Sequence, residues 1–394
     1  MIEQGYSIKQ NLDQFPLWSG KAPKLRSLDI ELTERCNNAC LHCYINLPEN
    51  DTQARNRELT TSEWKDILRQ AAELGTLTVR FTGGEPLLRE DFAELYEFTR
   101  RLGIKVRLFT NARLITSELV DLFTRIPLLE KIEITVYGMR SESYDAVSCA
   151  PGAYTEFVHG IELLLKRNIP FIVKFALMPQ NKADVAAFET WAMTLPWMDR
   201  LPGYSMFFDL RGRRDSTARN HLIERLRMTP QEGLAFLTRE RKSYCNEMNR
   251  FCHRFMGPTG KKLFDCGAGS GGCVDAYGRY QPCMLLRDPV LSYDLRVGSL
   301  SDALENFFPP IRQMTATNPE YLERCANCFL HGLCEQCPGK SWSEYGTLDT
   351  PVEYQCQIAH AQAFYLGLLQ LGEKAWKIPD WQERLKRIKA DLEE

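Results

Sequence analysis

The sequence predicts an α/β fold built on a parallel sheet, followed by a separate cysteine-rich region. Between residues 28 and 210, six strand-like runs alternate with helical stretches. Repeated βα units build parallel sheets with right-handed crossovers. Beyond residue 240 the chain changes character, because ten of the fourteen cysteines lie between positions 245 and 356. Periodicity alone leaves open whether the sheet is doubly wound or forms a barrel or partial barrel.

The elements follow one another in a regular order. Alternating apolar residues predict strands over 28–32, 77–81, 105–109, 131–137, 171–175 and 204–210. Helices are predicted over 60–75, 91–102, 117–125, 155–167 and 184–195. We divide the chain into an irregular lead-in (1–24), a sheet domain (25–240), a bridge with the cysteine-rich domain (241–360) and a helical tail (361–394).

Composition excludes several classes of function. The 394 residues are 44% hydrophobic and 25% charged, as in ordinary globular proteins, and the net charge of -2 gives no basic surface for nucleic acid. The sequence lacks a signal peptide and any run near the roughly 18 apolar residues of a membrane span. We therefore expect a cytoplasmic protein without membrane or nucleic-acid partners. In a reducing compartment, clustered cysteines favour metal binding over disulfides.

Three cysteines form the first motif. Cys36, Cys40 and Cys43 have the spacing CxxxCxxC and follow the first predicted strand. A closed structural zinc site takes four ligands, and an ordinary iron–sulfur cluster also takes four cysteines. Three thiolates therefore indicate a metal centre with one open position. The loop follows the carboxyl end of a strand, where βα barrels build their active sites.

A second motif, Thr82 to Pro86, follows the second predicted strand and opens onto the same face. Gly83 and Gly84 would let a ligand approach the backbone closely, and Glu85 would accept a hydrogen bond from an ammonium group. Alone, Gly-Gly-Glu-Pro is equally typical of a tight turn. Its position one βα unit after the three cysteines favours ligand binding.

These residues resemble the radical S-adenosylmethionine (radical SAM) superfamily. Its CxxxCxΦC motif matches Cys36, Cys40, His42 and Cys43, and its GGEP motif matches Gly83 to Pro86. The resemblance implies a partial (β/α)6 barrel with a [4Fe–4S] cluster on the three cysteines. The fourth iron would bind the amino and carboxylate groups of S-adenosylmethionine, which the reduced cluster would cleave to a 5′-deoxyadenosyl radical.

The resemblance also implies which residues contact the cofactor. His42 would lie against the adenine, and Gly83–Glu85 would bind the methionine amino group. Asn111, Thr135 and Asp209 end or follow later strands, so they are further candidates for contacts to the cofactor or the substrate. Asp209 is the one weak candidate for a catalytic group.

The C-terminal cysteines carry a second resemblance, to the seven-cysteine SPASM domain. The matching residues are Cys266, Cys283, Cys325, Cys328, Cys334, Cys337 and Cys356. The resemblance implies two auxiliary [4Fe–4S] clusters. Cys325, Cys328, Cys334 and Cys356 would hold the outer cluster, and Cys266, Cys283 and Cys337 the inner one. Zinc on the two CxxC pairs is the alternative.

Two points about these cysteines stay open. The inner cluster lacks a fourth ligand, which Cys245, Cys252 or Cys273 would supply unless the position is open. Two residues rather than the commoner three separate Cys334 from Cys337, so the division between the clusters is uncertain. Cys149 is predicted to be a free, buried thiol.

The SPASM resemblance implies a maturation enzyme that crosslinks, oxidises, epimerises or excises residues of a ribosomally synthesised peptide. Its partners would be that precursor peptide and an electron donor of flavodoxin or ferredoxin type. A separate leader-binding protein is also expected, since only about 25 residues precede the first strand. The alternatives are a haem- or tetrapyrrole-modifying enzyme and a sulfatase-activating enzyme. A non-catalytic iron–sulfur electron carrier is disfavoured because a carrier needs no vacant iron.

Overall fold

The computed structural model describes residues 24–388, so residues 1–23 of the lead-in predicted over 1–24, and residues 389–394, lie outside it. The strands of the described residues are β1 (Ser27–Thr33), β2 (Arg35–Cys36), β3 (Leu47–Pro48), β4 (Thr78–Gly83), β5 (Lys105–Thr110), β6 (Leu129–Val136), β7 (Phe171–Ala176), β8 (Gly203–Ser205), β9 (Cys273–Val274), β10 (Arg279–Gln281) and β11 (Tyr293–Asp294).

The α-helices of the described residues are numbered in chain order. They are α1 (Thr52–Arg57), α2 (Thr61–Glu73), α3 (Phe92–Arg101), α4 (Ser117–Arg125), α5 (Ser141–Ser148), α6 (Ala153–Lys166), α7 (Val185–Ala192), α8 (Thr217–Leu226), α9 (Pro230–Leu237), α10 (Arg241–Phe255), α11 (Leu300–Asp302), α12 (Phe308–Arg312), α13 (Pro319–Glu323), α14 (His331–Cys334), α15 (Pro338–Tyr345), α16 (Glu353–Tyr365) and α17 (Trp381–Arg387). No helix among the described residues is both long enough and apolar enough to cross a membrane.

One nine-stranded sheet organises the first half of the chain. Its order is β11-β10-β9-β1-β4-β5-β6-β7-β8, and the pairs from β1 through β8 are all parallel. The six strands predicted from the βα alternation therefore lie side by side in chain order. The sequence analysis did not predict β9 to β11, which extend the sheet beyond β1.

The two faces of this sheet differ in polarity. On β4, Val79 and Phe81 are fully buried, whereas the intervening Arg80 is half-buried on the other face. Arg80 pairs there with Asp29 of β1 at 3.1 Å, and a similar pair joins β7 to β6. This alternation has the two-residue period of strands. It leaves one face apolar and the other charged and partly open to water.

The predicted start of α2 is confirmed. The Thr60 hydroxyl accepts a hydrogen bond from the Glu63 amide, and the Glu63 carboxylate accepts one from the Thr60 amide at 2.7 Å. This reciprocal arrangement is the capping box that the sequence predicts. It fixes the direction in which α2 leaves the loop, so that Trp64 is fully buried.

The sixth predicted strand, over 204–210, is wrong beyond Ser205. The strand β8 ends there, although Met206 and Phe208 are buried at the alternating positions of a strand. Their carbonyl oxygens instead accept hydrogen bonds from Met228 N and from the Arg227 guanidinium. Alternating burial thus arose from packing against the loop between α8 and α9 rather than from strand pairing.

Contacts divide the chain into two compact units. The first runs to Ser205 and adds Ala268–Met284 and Pro289–Pro309, whereas the second comprises Met206–Gly267, Leu285–Asp288 and the chain from Pro310 onward. The second unit has its own apolar core, in which Phe329 and Leu330 are fully buried. The predicted domain boundaries at 240 and 360 remain predictions. Each compact unit combines segments that are far apart in the sequence, so the units do not test those boundaries.

Candidate active site

The first site lies in the first unit, where adjacent parallel strands end. The loop with Cys36, Cys40 and Cys43 follows β1, and Gly83–Glu85 lies at the end of β4. Asn111 directly follows β5, the next strand of the sheet. The structure therefore brings these predicted site residues to one edge of the sheet.

The three thiols lie close enough to affect one another. Burial raises the pKa of Cys40 to about 12, and the nearby Cys43 contributes to this rise. Burial also raises the pKa of Cys36 well above its usual value, with a further contribution from Cys40. Thiols with raised pKa values stay protonated at neutral pH. Metal binding to them must therefore release protons.

Hydrogen bonds at Asn38 and Ala39 connect the cysteine loop to other elements of the first unit. Ala39 N donates to the Ser148 carbonyl at 2.8 Å, so the end of α5 supports the loop. The sequence analysis did not predict α5. Arg113 donates to the Asn38 side chain at 2.5 Å and also pairs with Glu156 of α6 at 2.7 Å. These contacts hold the cysteines before any ligand arrives.

Asn111 reaches this loop directly. Its side-chain amide donates to the Asn37 Oδ1 atom at 2.8 Å and lies 3.9 Å from Cys36 Sγ. The backbone amide of Asn38 also donates to Cys36 Sγ, at 3.3 Å. Hydrogen bonds to cysteine sulfur influence the potential of a bound cluster. Asn111 is thus placed to contact the centre on Cys36.

Because Gly83 and Gly84 have no side chain, neighbouring backbone packs closely against them. A Cβ atom on Gly83 would lie 2.1 Å from the Thr33 carbonyl oxygen, and one on Gly84 would lie 2.2 Å from that of Arg35. Gly83 also has a φ of +128°, which favours glycine. The expectation that Gly83 and Gly84 let a ligand approach the backbone stays a prediction. The structure adds another reason for glycine here, because the chain leaving β1 occupies the space where their Cβ atoms would lie.

We expect Gly84→Ala to destabilise the protein by about 1–3 kcal/mol or more, because the added methyl group meets backbone that cannot rotate away. Urea unfolding of the reduced protein measures this change. Gly203→Ala is the matched control, since its Cβ atom would meet nothing within 4 Å. Equal stability of the two variants would contradict the packing role of Gly84.

Glu85 is fully buried and serves as an internal support. Its carboxylate accepts hydrogen bonds from the Thr110 hydroxyl at 2.8 Å and from Asn111 N at 2.9 Å. Burial raises the pKa of Glu85 to about 7, although these hydrogen bonds oppose the rise. The Glu85 carboxylate thus joins the ends of β4 and β5.

Aromatic residues form one wall of the site. The His42 ring lies 5.9 Å from that of Tyr137, which directly follows β6 and is hydrogen-bonded to Cys40. Tyr144 packs edge-on against Tyr137 at 5.4 Å. The sequence analysis missed Tyr137 as a site residue. Its place at the end of the strand predicted over 131–137 was the available signal.

These residues fit an iron–sulfur cluster. The Asn37 amide nitrogen and the Tyr144 hydroxyl are buried and have no hydrogen-bond partner within the described part of the chain. Sulfide and thiolate sulfurs of a cluster accept such hydrogen bonds. Within residues 24–388, no three histidine, cysteine or acidic side chains converge on one metal ion. A cubane cluster does not need that convergence, since each cysteine binds a separate iron.

Thr135 and Asp209 are the two remaining predicted site residues. Thr135 is half-buried on β6, in register with Lys174 of β7, on the charged face of the sheet. Asp209 belongs to the second unit. Burial raises the pKa of its carboxyl above the usual value, although Lys340 and Arg227 oppose the rise.

A second site lies in the second unit. Cys325, Cys328, Cys334 and Cys356 line one partly open cavity. Burial raises the pKa of each thiol, and that of Cys325 reaches about 12. The structure thus brings together the four cysteines that the SPASM resemblance assigns to the outer cluster. Four buried thiols around one space are the donor set that such a cluster takes.

The remaining cysteines are distributed between the units. Cys283 and Cys273 belong to the first unit, and Cys273 is fully buried in β9. Cys266 and Cys337 belong to the second unit, with Cys266 exposed and Cys337 half-buried before α15.

Of the proposed fourth ligands in the second unit, Cys252 lies in the apolar core and Cys245 packs against it. The prediction that Cys149 is buried is wrong, because its thiol is exposed. It follows α5 in a left-handed conformation, and this turn carries it to the surface.

The chain was compared with known proteins. Residues 30–192 match the model of the Radical SAM superfamily, a range that includes the three-cysteine loop and Gly83–Glu85. An AdoMet-dependent heme synthase of Methanosarcina barkeri is 26% identical over 348 residues, which cover 82% of this chain and 94% of that protein. A PqqA peptide cyclase of Gluconobacter oxydans is 31% identical over 159 residues, covering 40% of this chain and 43% of that protein.

A solved structure shows the same fold. Native anSMEcpe with bound AdoMet and a peptide superposes with a TM-score of 0.58 at 13% identity, covering 93% of this chain and 99% of that chain. The predicted fold class is confirmed: a mixed α/β structure with a parallel sheet of radical SAM type and a cysteine-rich C-terminal region.

Proposed function

We propose that this chain, which carries a radical SAM domain and is a radical SAM enzyme, abstracts hydrogen from a peptide substrate after reductive cleavage of S-adenosylmethionine. The observation that carries the proposal is the three-cysteine loop at the edge of the parallel sheet. Beside it, the Asn37 amide nitrogen and the Tyr144 hydroxyl are buried and have no hydrogen-bond partner among the described residues. A [4Fe–4S] cluster bound there supplies the electron for cleavage of the sulfonium, and the cofactors thus perform the difficult chemical step.

The residues around the loop position this chemistry. Cys36, Cys40 and Cys43 would hold the cluster, and Asn111 and Tyr137 would hydrogen-bond to its ligands. Burial of Cys40 keeps water away from the centre, and exclusion of water protects reactive intermediates from side reactions. The His42 ring, beside Tyr137, provides a surface for the adenine. We also propose that Gly83–Glu85 support the methionine end through their backbone, because the Glu85 carboxylate is already engaged.

The charged face of the sheet would orient the substrate. Lys174 pairs with Glu133 at 2.6 Å and lies 4.4 Å from the Phe109 ring centre. Thr135 lies on the same face, between this pair and the end of β6. Side chains that are half-buried and already paired have little freedom, so they hold a bound group in one orientation.

A peptide substrate is supported by two likenesses. The PqqA peptide cyclase matches part of this chain, and anSMEcpe, which shares the fold, was solved with a peptide bound. The modification would be a crosslink, an oxidation, an epimerisation or an excision. We further propose an external electron donor of flavodoxin or ferredoxin type and a separate leader-binding protein.

A tetrapyrrole substrate is the second candidate. The specific observation in its favour is coverage, because the heme synthase matches 82% of this chain and 94% of its own length. The peptide cyclase matches only 40% of this chain. Iron-bound tetrapyrroles and peptides differ enough in shape and charge that one assay separates them.

We also propose two auxiliary [4Fe–4S] clusters. The outer one would occupy the cavity between Cys325, Cys328, Cys334 and Cys356, where four thiols already face one space. The inner one would use Cys266, Cys283 and Cys337. The zinc alternative on the two CxxC pairs is less favoured, because Cys356 rather than Cys337 completes the cavity.

The test is anaerobic incubation of the reconstituted, reduced protein with S-adenosylmethionine. We expect 5′-deoxyadenosine above background, and its rate should rise with the correct substrate class. An iron coproporphyrin and short cysteine- or serine-containing peptides are compared in parallel. No 5′-deoxyadenosine with fully loaded clusters would refute the enzymatic proposal, and stimulation only by the porphyrin would replace the peptide by the tetrapyrrole.

A further inference from the structure

Arg324 is the charged residue that lines the four-cysteine cavity of the second unit. Its Nη2 atom donates to the Cys356 sulfur at 3.6 Å. Its Nε atom is buried and has no hydrogen-bond partner among the described residues. The guanidinium group therefore presents one donor to a ligand sulfur and keeps a second donor unused beside the same cavity.

Other contacts fix the orientation of the Arg324 guanidinium group. Its Nη1 atom pairs with Glu320 at 2.5 Å and with Glu353 at 2.6 Å. The guanidinium carbon lies 4.9 Å from the Trp376 ring centre, within the range of a cation–π contact. Two carboxylates and an aromatic ring thus orient a planar donor, as a positioning residue requires.

We propose that Arg324 raises the reduction potential of the auxiliary cluster held by Cys325, Cys328, Cys334 and Cys356. The inference rests on the cluster assignment made under the proposed function. Reduction adds negative charge to a cluster, and a nearby cation that donates hydrogen bonds to its sulfurs stabilises the reduced form. The unused Nε donor fits an inorganic sulfide, and the Nη2 donor already contacts Cys356.

The two carboxylates give the proposal a second, opposite consequence. Glu320 and Glu353 partly neutralise the charge of Arg324, and their side chains are half exposed, at 52% each. Removing one of these negative charges should therefore raise the potential further. A residue that served only to hold the fold would not produce shifts of opposite sign.

The experiment uses the full chain with Cys36, Cys40 and Cys43 replaced by alanine, so that only auxiliary clusters remain. Redox titration monitored by electron paramagnetic resonance gives the midpoint potential. Arg324→Gln should shift one auxiliary signal to a more negative potential, and Glu353→Gln should shift it to a more positive one. Arg384→Gln is the matched control, because Arg384 pairs with Glu373 and Asp380 and is similarly buried.

The outcomes separate this inference from the proposed function. Unchanged potentials in Arg324→Gln and Glu353→Gln, with iron content intact, would overturn the role of Arg324. If Arg324→Gln failed to load iron, Glu353→Gln alone would decide, since the absence of a positive shift would overturn the proposal. No iron in the parent variant would refute the cluster assignment. Failure of the intact enzyme to form 5′-deoxyadenosine would refute the proposed function and leave this measurement valid.

Discussion

Replacing Cys36, Cys40 and Cys43 together by alanine is expected to reduce 5′-deoxyadenosine formation to background while leaving iron in the C-terminal region. In the proposed assignment, these three cysteines supply every protein thiol that holds the first cluster. The four thiols that line the cavity of the second unit form a separate donor set. Iron and sulfide analysis, together with product chromatography, measures both parts of the prediction.

Cys149→Ala is the matched control for this replacement. Cys149 belongs to the same unit and follows the helix that supports the cysteine loop, but its thiol is exposed. We expect this variant to retain parental activity. Cleavage of S-adenosylmethionine by the triple variant would show that the assignment of the loop is wrong.

Much of this site could be predicted from local sequence. The spacing of Cys36, Cys40 and Cys43 is set within eight residues, and alternating hydrophobicity places the loop after a strand. Parallel strands then bring their carboxyl ends to one edge, which explains why Asn111 lies beside Cys36. These predictions needed only short-range patterns and one rule of topology.

The roles of Gly84 and Glu85 depended on distant residues and could not be predicted. The backbone at Arg35 fills the space beside Gly84, and Asn111 and Thr110 occupy the Glu85 carboxylate. A sequence motif gives the residue types, but it does not show which residues elsewhere in the chain will contact them.

The predicted strand over 204–210 shows a related ambiguity. Buried residues at every second position satisfy the strand pattern whether their backbone pairs with another strand or with a loop. Arg324 was also missed, although it directly precedes Cys325. Its significance depends on Cys356, more than thirty positions later, and on the cavity that both residues line.

A buried ion network includes Thr33 and Arg35, which directly precede the cysteine loop. Glu58 binds Arg35 through both carboxylate oxygens, at 2.9 and 3.1 Å, and also accepts a hydrogen bond from the Thr33 hydroxyl. Arg89 approaches the same carboxylate at 3.6 Å and pairs with Asp91 at 2.7 Å. The side chains of Arg35, Glu58 and Arg89 are each less than 10% exposed.

Glu58→Gln is therefore expected to lower the free energy of unfolding by about 3–5 kcal/mol, because it leaves two buried arginines without their shared counter-charge. Urea unfolding under anaerobic conditions measures the loss. Arg35 directly precedes Cys36, so we also expect the variant to bind iron at the first site less completely than the parent protein.

An exposed ion pair in the same region provides the control. Arg55 and Glu90 pair at 2.7 Å, but their side chains are 58% and 83% exposed. Water screens such a pair, so Glu90→Gln should change stability by no more than about 1 kcal/mol. Similar small effects in both variants would show that the Glu58 network is not essential to the fold. A large effect in Glu58→Gln alone would show that burial makes the Arg35–Glu58 pair important for the free energy of unfolding. The cysteine loop would then depend on the carboxylate of Glu58, which lies outside the loop in sequence.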